Sequence, residues 1–93
     1  MKRVKFGERT WWIKFNVSPP CLPEGLDGSC DPPEKRGKKF IYLGAHLRGV
    51  DLLEATLHEI AHAADPRASE EAIEEQSSEQ AKVLWAMGFR LSS

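Results

Sequence analysis

His58, Glu59 and His62 stand together in the stretch TLHEIAH, with the two histidines four residues apart. On a helix that spacing is about 6 Å along the axis and about 40° of rotation past a full turn. Both imidazoles then project from one face and can aim a nitrogen at a single ion. Neutral imidazole binds zinc at about 2.0–2.1 Å. Glu59 falls about 100° round from His58, beside such an ion without ligating it. From there it can take a proton from a zinc-bound water, whose pKa the metal lowers to about 7. The water attacks a peptide carbonyl, and the glutamic acid returns the proton to the leaving amine. The residues thus point to zinc-dependent peptide hydrolysis with Glu59 as general base. The competing reading is an ordinary amphipathic helix with two solvated histidines. The apolar stripe Leu53, Leu57, Ile60 and Ala64 argues against it, because a helix that packs on a core holds its polar groups only with partners.

A catalytic zinc takes three protein ligands and leaves a fourth position open, so one ligand is missing. Three places can supply it. His46, in LGAHLRG, precedes the helix and is expected to line the cleft or face solvent. Asp65, directly before Pro66, is better explained as the N-cap of a following helix. The remaining candidates lie on that helix, in the acidic run from Glu70 to Glu79. Counting about 100° per residue, Ile73, Ser77, Ala81 and Leu84 share one side. Glu70 and Glu74 border that side, whereas Glu71, Glu75 and Glu79 point away. Glu70 is the first choice as third ligand, and Glu74 an alternative ligand or an outer partner to one.

The elements that must position these residues follow from patterning. RVKF and TWWIKFNV are β-prone runs separated by GER and read as a hairpin, with Trp11, Ile13 and Phe15 on one face. SPPCLPEGLDGSCDPPEKRG, rich in proline and glycine, reads as a long loop. KKFIYL, residues 38–43, is the third strand. From Asp51 the period becomes helical up to Pro66, and a second helix runs from about Pro66 or Ser69 to Met87, stopped by Gly88. The expected fold class is α+β: a small three-stranded, mainly antiparallel sheet packed against two helices.

Ninety-three residues fit a single domain, residues 1–93. Residues 1–50 hold the hairpin, loop and third strand, and residues 51–88 the two helices. A chain this short has a thin stability margin that a bound metal can widen. No apolar run reaches the length of a membrane helix or a signal peptide, so a soluble cytoplasmic protein is expected. The net charge of −1 divides unevenly. Residues 1–50 carry ten Lys/Arg against five Asp/Glu, whereas residues 51–93 carry three against nine. The basic half is scattered and holds no nucleic-acid motif, so complementary surfaces within one domain are preferred over nucleic-acid binding. Cys21 and Cys30 are the only cysteines, and their spacing is a weak metal signal. A cytosolic setting leaves them reduced, although the loop between them could bring them together.

LLEATLHEIAHAADPRASEEAIEE…AKVLWAMGFR resembles the minimal HExxH zincins of phages and bacteria, reduced relatives of the SprT-like and gluzincin-type metallopeptidases. The resemblance covers residues 51–90 well and residues 27–50 more loosely. It implies a truncated zincin fold in which His58 and His62 ligate zinc, Glu59 is the base and Glu70 closes the ligand set. It also implies an edge strand along the cleft that pairs with extended peptide, a role KKFIYL could fill. If phage-encoded, the protein would act in the host cytoplasm. The chain departs from full-sized gluzincins in its short link between His62 and Glu70. It also has no obvious oxyanion-stabilising residue, for which Tyr42, His46 and Arg48 are positional candidates. The alternative reading is a non-catalytic, zinc-stabilised binding module that engages a protein or nucleic-acid partner. Substrate specificity and oligomeric state are not encoded legibly.

Overall fold

The computed structural model describes residues 1–91. Six elements follow in the order β1 (Lys2–Phe6), β2 (Arg9–Val17), β3 (Gly28–Cys30), β4 (Lys39–Gly44), α1 (Gly49–Ala64) and α2 (Glu70–Ala86). β1 and β2 form the expected antiparallel hairpin, with Val4 opposite Trp11. The sheet departs from expectation in two respects. It has four strands in the order β1-β2-β4-β3, and it is mixed, because β4 runs parallel to β2. β3 lies inside the proline- and glycine-rich segment and pairs antiparallel to β4, with Ser29 opposite Tyr42. The long loop is therefore a crossover that lays down the edge strand before β4 fills the interior position. KKFIYL is consequently a central strand, and the edge beside the helices belongs to β3.

The alternation of side chains divides the sheet cleanly. Trp11, Ile13, Ile41 and Leu43 are buried on the face covered by α1, joined by Leu47, Ala55 and Ala63, while α2 packs on α1. Trp12, Phe40 and Tyr42 occupy the opposite face, where the Phe40 and Tyr42 rings stack at 5.5 Å. Asn16 adopts a left-handed φ of 59° where the β2–β4 register shifts between Lys14 and Val17. Asparagine tolerates that conformation better than most residues. The crossover is anchored at two points: Leu22 is buried, and the Trp11 indole donates to the Asp31 carbonyl at 3.1 Å.

α1 ends at Asp65, whose backbone N–H bonds to the Ala61 carbonyl, and Pro66 bars continuation. The Asp65 cap expectation is corrected here. Asp65 closes α1 and accepts from Ala68 in a turn, while Ser69 caps α2 by accepting from the Ala72 N–H at 3.1 Å. Glu70 is therefore the first residue of α2, where its charge suits the helix dipole. At the far end Gly88, with φ of 96°, allows Phe89 N–H to bond back to Leu84, a glycine-terminated helix end. Ile73, Ser77 and Ala81 form the buried side of α2, and the Ser77 hydroxyl is satisfied by the Ile73 carbonyl at 2.7 Å.

The buried side of α1 differs from the expected stripe. Leu53 is buried, Leu57 and Ile60 are half-buried, and Ala64 is exposed. The row that meets the sheet is instead Ala55, Glu59 and Ala63, one turn apart each. Two small alanines let α1 approach the sheet closely, and Glu59 is carried into the interface between them.

Candidate metal centre

A cleft of about 880 Å³ opens between β3 and the two helices, with His58, Glu59, His62, Glu70 and Glu74 in its wall. α1 presents the two imidazoles side by side, ring centroids 4.8 Å apart. The short turn after Asp65 swings α2 back so that its first residue reaches them. One Glu70 carboxylate oxygen lies 2.7 Å from His58 Nε2 and the other 2.9 Å from His62 Nε2. The two Nε2 atoms are themselves 3.1 Å apart. No arrangement of one proton per neutral imidazole makes all three of these approaches good hydrogen bonds. A cation at their centre is served by one ligand atom from each of the three side chains at once.

The donor set is suited to zinc in kind and in size. Imidazole nitrogen and carboxylate oxygen are both zinc ligands. Bonds of 2.0–2.1 Å in a tetrahedral site separate neighbouring ligand atoms by about 3.3 Å. The two Nε2 atoms, 3.1 Å apart, stand close to that separation, and one ligand atom from each of His58, His62 and Glu70 lies within 4.8 Å of the others. Among the described residues this is the one group of three or more His, Cys, Asp and Glu side chains arranged to hold a metal ion. It is the trio that helical phase selects. Glu74 lines the same cleft one turn further along, outside that trio.

Glu59 is only 8 % exposed. Its carboxyl is pushed up to about 7, chiefly by burial; the nearby Glu70 adds to the rise and His58 opposes it. It lies against β3 at Gly28, where an added Cβ would sit 3.1 Å from the Glu59 Cγ and 2.9 Å from the Tyr42 carbonyl. Glycine at 28 is thus what lets the edge strand and the glutamate share this space. Cys30, two residues on, also lines the cleft, and its thiol is pushed up to about 12 by burial, Glu59 and Asp31. Both cysteines are free.

The three candidates for stabilising an oxyanion are placed differently. His46 lines the cleft and its Nε2 lies 2.8 Å from an Asp27 carboxylate oxygen. Tyr42 belongs to the opposite face of the sheet. The Arg48 guanidinium donates to the Ala45 and Leu47 carbonyls at 2.7 Å each, securing the start of α1. Gly28, Cys30 and β3 as a whole were not anticipated as parts of the site. The only sequence signal for them was glycine within a segment otherwise read as loop.

Comparison of the chain with family models, curated proteins and solved structures returned no match. The functional reading therefore rests on residues and geometry alone. No helix among the described residues is long and apolar enough to cross a membrane.

Proposed function

We propose that the chain is a zinc-dependent metallopeptidase with a reduced zincin fold, acting on peptide or protein substrates in the cytoplasm. One observation carries the reading: the Glu70 carboxylate spans His58 and His62 at 2.7 and 2.9 Å, directly beside a buried Glu59. His58, His62 and Glu70 would hold the ion. Zinc, when bound there, supplies a Lewis acid that polarises a carbonyl and makes a water more acidic.

The rest of the chemistry belongs to the chain. Glu59 accepts the proton that a water loses as its oxygen bonds to the peptide carbon. It then passes that proton to the amide nitrogen as the carbon–nitrogen bond breaks, leaving a carboxylic acid and an amine. A carboxyl held near 7 by burial suits both halves of this exchange. β3 can orient the substrate. Asp31 donates from its backbone N–H to β4, and Asp27 accepts there through its carbonyl. By antiparallel alternation, Gly28 and Cys30 turn their backbone groups outward to the free edge. An extended peptide can add to that edge, with its scissile bond brought over Glu59.

The decisive variant is Glu59→Gln. Loaded with zinc, it should bind one equivalent as the wild type does, yet lose at least a hundredfold in hydrolysis of an unfolded fluorogenic protein. A second reading, a non-catalytic zinc-stabilised binding module, is favoured by the placement of Tyr42 and Arg48 outside the cleft. Wild-type protein that binds zinc and cleaves no unfolded substrate would select that second reading.

A further inference from the structure

The cleft wall is built almost wholly from one sign of charge. α1 contributes Asp51, Glu54 and Glu59; α2 contributes Glu70 and Glu74. The segment around β3 contributes Asp27, Asp31 and Glu34. No lysine or arginine lines the cleft among the described residues. Three of these carboxylates have fixed partners: Asp27 meets His46, Asp31 meets Lys35 at 2.9 Å, and Glu70 meets His58 and His62. Glu34, Asp51, Glu54 and Glu74 make no ion pair or side-chain hydrogen bond among the described residues.

A run of surface acids is ordinarily a solvated face, and for Glu71 and Glu75 on the outer side of α2 that account suffices. The cleft differs because it also contains groups prepared for a ligand. Glu59 is buried to 8 % exposure, lines the cleft and has no hydrogen-bond or ion-pair partner among the described residues. His58, His62 and Glu70 converge beside it. A concave surface lined by one sign of charge focuses its field on whatever enters.

We propose that this cleft selects cationic polypeptide, with lysine or arginine side chains near the scissile bond seated against Glu54 and Asp51. The proposal rests on the peptidase reading and adds its substrate class. Spacing supports it. At 1.5 Å per residue, Glu54 lies about 6 Å and Asp51 about 10.5 Å along α1 from His58. A peptide extended on the free edge of β3 repeats its side chains on one face about every 6.6–6.8 Å. A peptide running along α1 would bring a basic residue two positions from the bond over His58 level with Glu54, with Asp51 between that position and the next one on the same face.

The test uses the full chain carrying Glu59→Gln, loaded with zinc, and three fluorescent peptides of one length that alternate serine with lysine, glutamine or glutamate. Anisotropy at low salt should show the lysine peptide binding at least tenfold more tightly than the glutamine peptide, and the glutamate peptide more weakly than either. The advantage should shrink at 0.5 M salt, where charge interactions are screened within about 4 Å. Adding Asp51→Asn and Glu54→Gln, both at solvent-accessible positions, should remove most of the advantage while zinc binding stays intact. Adding Glu71→Gln and Glu75→Gln instead should leave it unchanged. Equal affinity for the lysine and glutamine peptides overturns the proposal, as does an advantage that responds equally to the two double substitutions. Cleavage by the wild type separates the two layers. Hydrolysis of lysine and glutamine peptides at equal kcat/KM keeps the peptidase and removes the selectivity. Selective binding of the lysine peptide with no hydrolysis supports the selectivity and removes the peptidase beneath it.

Discussion

Glu70 lies 2.7 Å from His58 although the two residues belong to different helices joined by a tight turn. The contact is made by a side chain that is itself 64 % exposed, so burial does not force it. It follows from the turn geometry: Asp65 closes α1, Ser69 caps α2, and the first residue of α2 is delivered to the imidazoles. A ligand set assembled across two helices ties them together when a metal binds.

Zinc should therefore stabilise the fold. A ligand at a hundred times its dissociation constant adds about 2.7 kcal/mol to a protein that binds it only when folded. In a domain of this size that corresponds to a rise in Tm of roughly 10 °C or more. Thermal unfolding of chelator-stripped protein with and without zinc measures this, and an unchanged Tm would contradict it.

Burial of Glu59 predicts an unusual pH dependence for the chelator-stripped protein. Its folded pKa of about 7 lies above the ordinary value of 4.5. Between these values the folded chain keeps a proton that the unfolded chain has released. Stability contributed by this group thus falls as pH rises from about 4.5 to 7 and stays lost above, by roughly 3 kcal/mol at most. Glu59→Gln should flatten that slope and make the stripped protein more stable than wild type at pH 8. Urea midpoints across this range decide it; matching slopes in the two proteins would sink the explanation.

Gly28→Ala tests the contact between β3 and α1. The new methyl group meets the Tyr42 carbonyl at 2.9 Å and Glu59 Cγ at 3.1 Å, so strand or glutamate must shift. Overpacking of this kind costs about 1–3 kcal/mol. Because the alanine touches none of His58, His62 or Glu70, zinc affinity should change less than threefold while hydrolysis drops. A large loss of zinc affinity with stability unchanged would show that β3 is coupled to the ligands in some other way.

The cysteines should separate chemically. Cys21 is exposed, whereas the Cys30 thiol is pushed up to about 12 and half-buried in the cleft. Thiolate is the reactive form. Iodoacetamide at pH 8 should label Cys21 at least roughly a hundredfold faster than Cys30. Mass spectrometry of the folded protein reads the two sites, and comparable rates would contradict the buried placement.

Much of the site was legible because helices encode direction in spacing. The interval between His58 and His62 sets two imidazoles on one face, and the phase of Ile73, Ser77 and Ala81 singles out Glu70 among nearby glutamates. Strand β3 was hidden for the opposite reason. Gly28, Ser29 and Cys30 carry weak β propensity, and their pairing is created by β4, which comes later in the chain. Missing β3 made β4 look like an edge and gave the sheet three strands. The burial of Glu59 was hidden too, because the sheet meets the small residues Ala55 and Ala63 and not the larger stripe through Leu57 and Ile60. Tyr42 and Arg48 were near the site in sequence only: strand alternation turns one to the far face, and the other is occupied by carbonyls at the start of α1.

The central claim is most directly tested by titrating chelator-stripped protein with zinc in a calorimeter, for the wild type, Glu70→Ala and Glu71→Ala. One zinc per chain is expected in the wild type and in Glu71→Ala, with affinity at least tenfold weaker in Glu70→Ala. Absence of stoichiometric binding by the wild type, or equal affinities in the two variants, would contradict it.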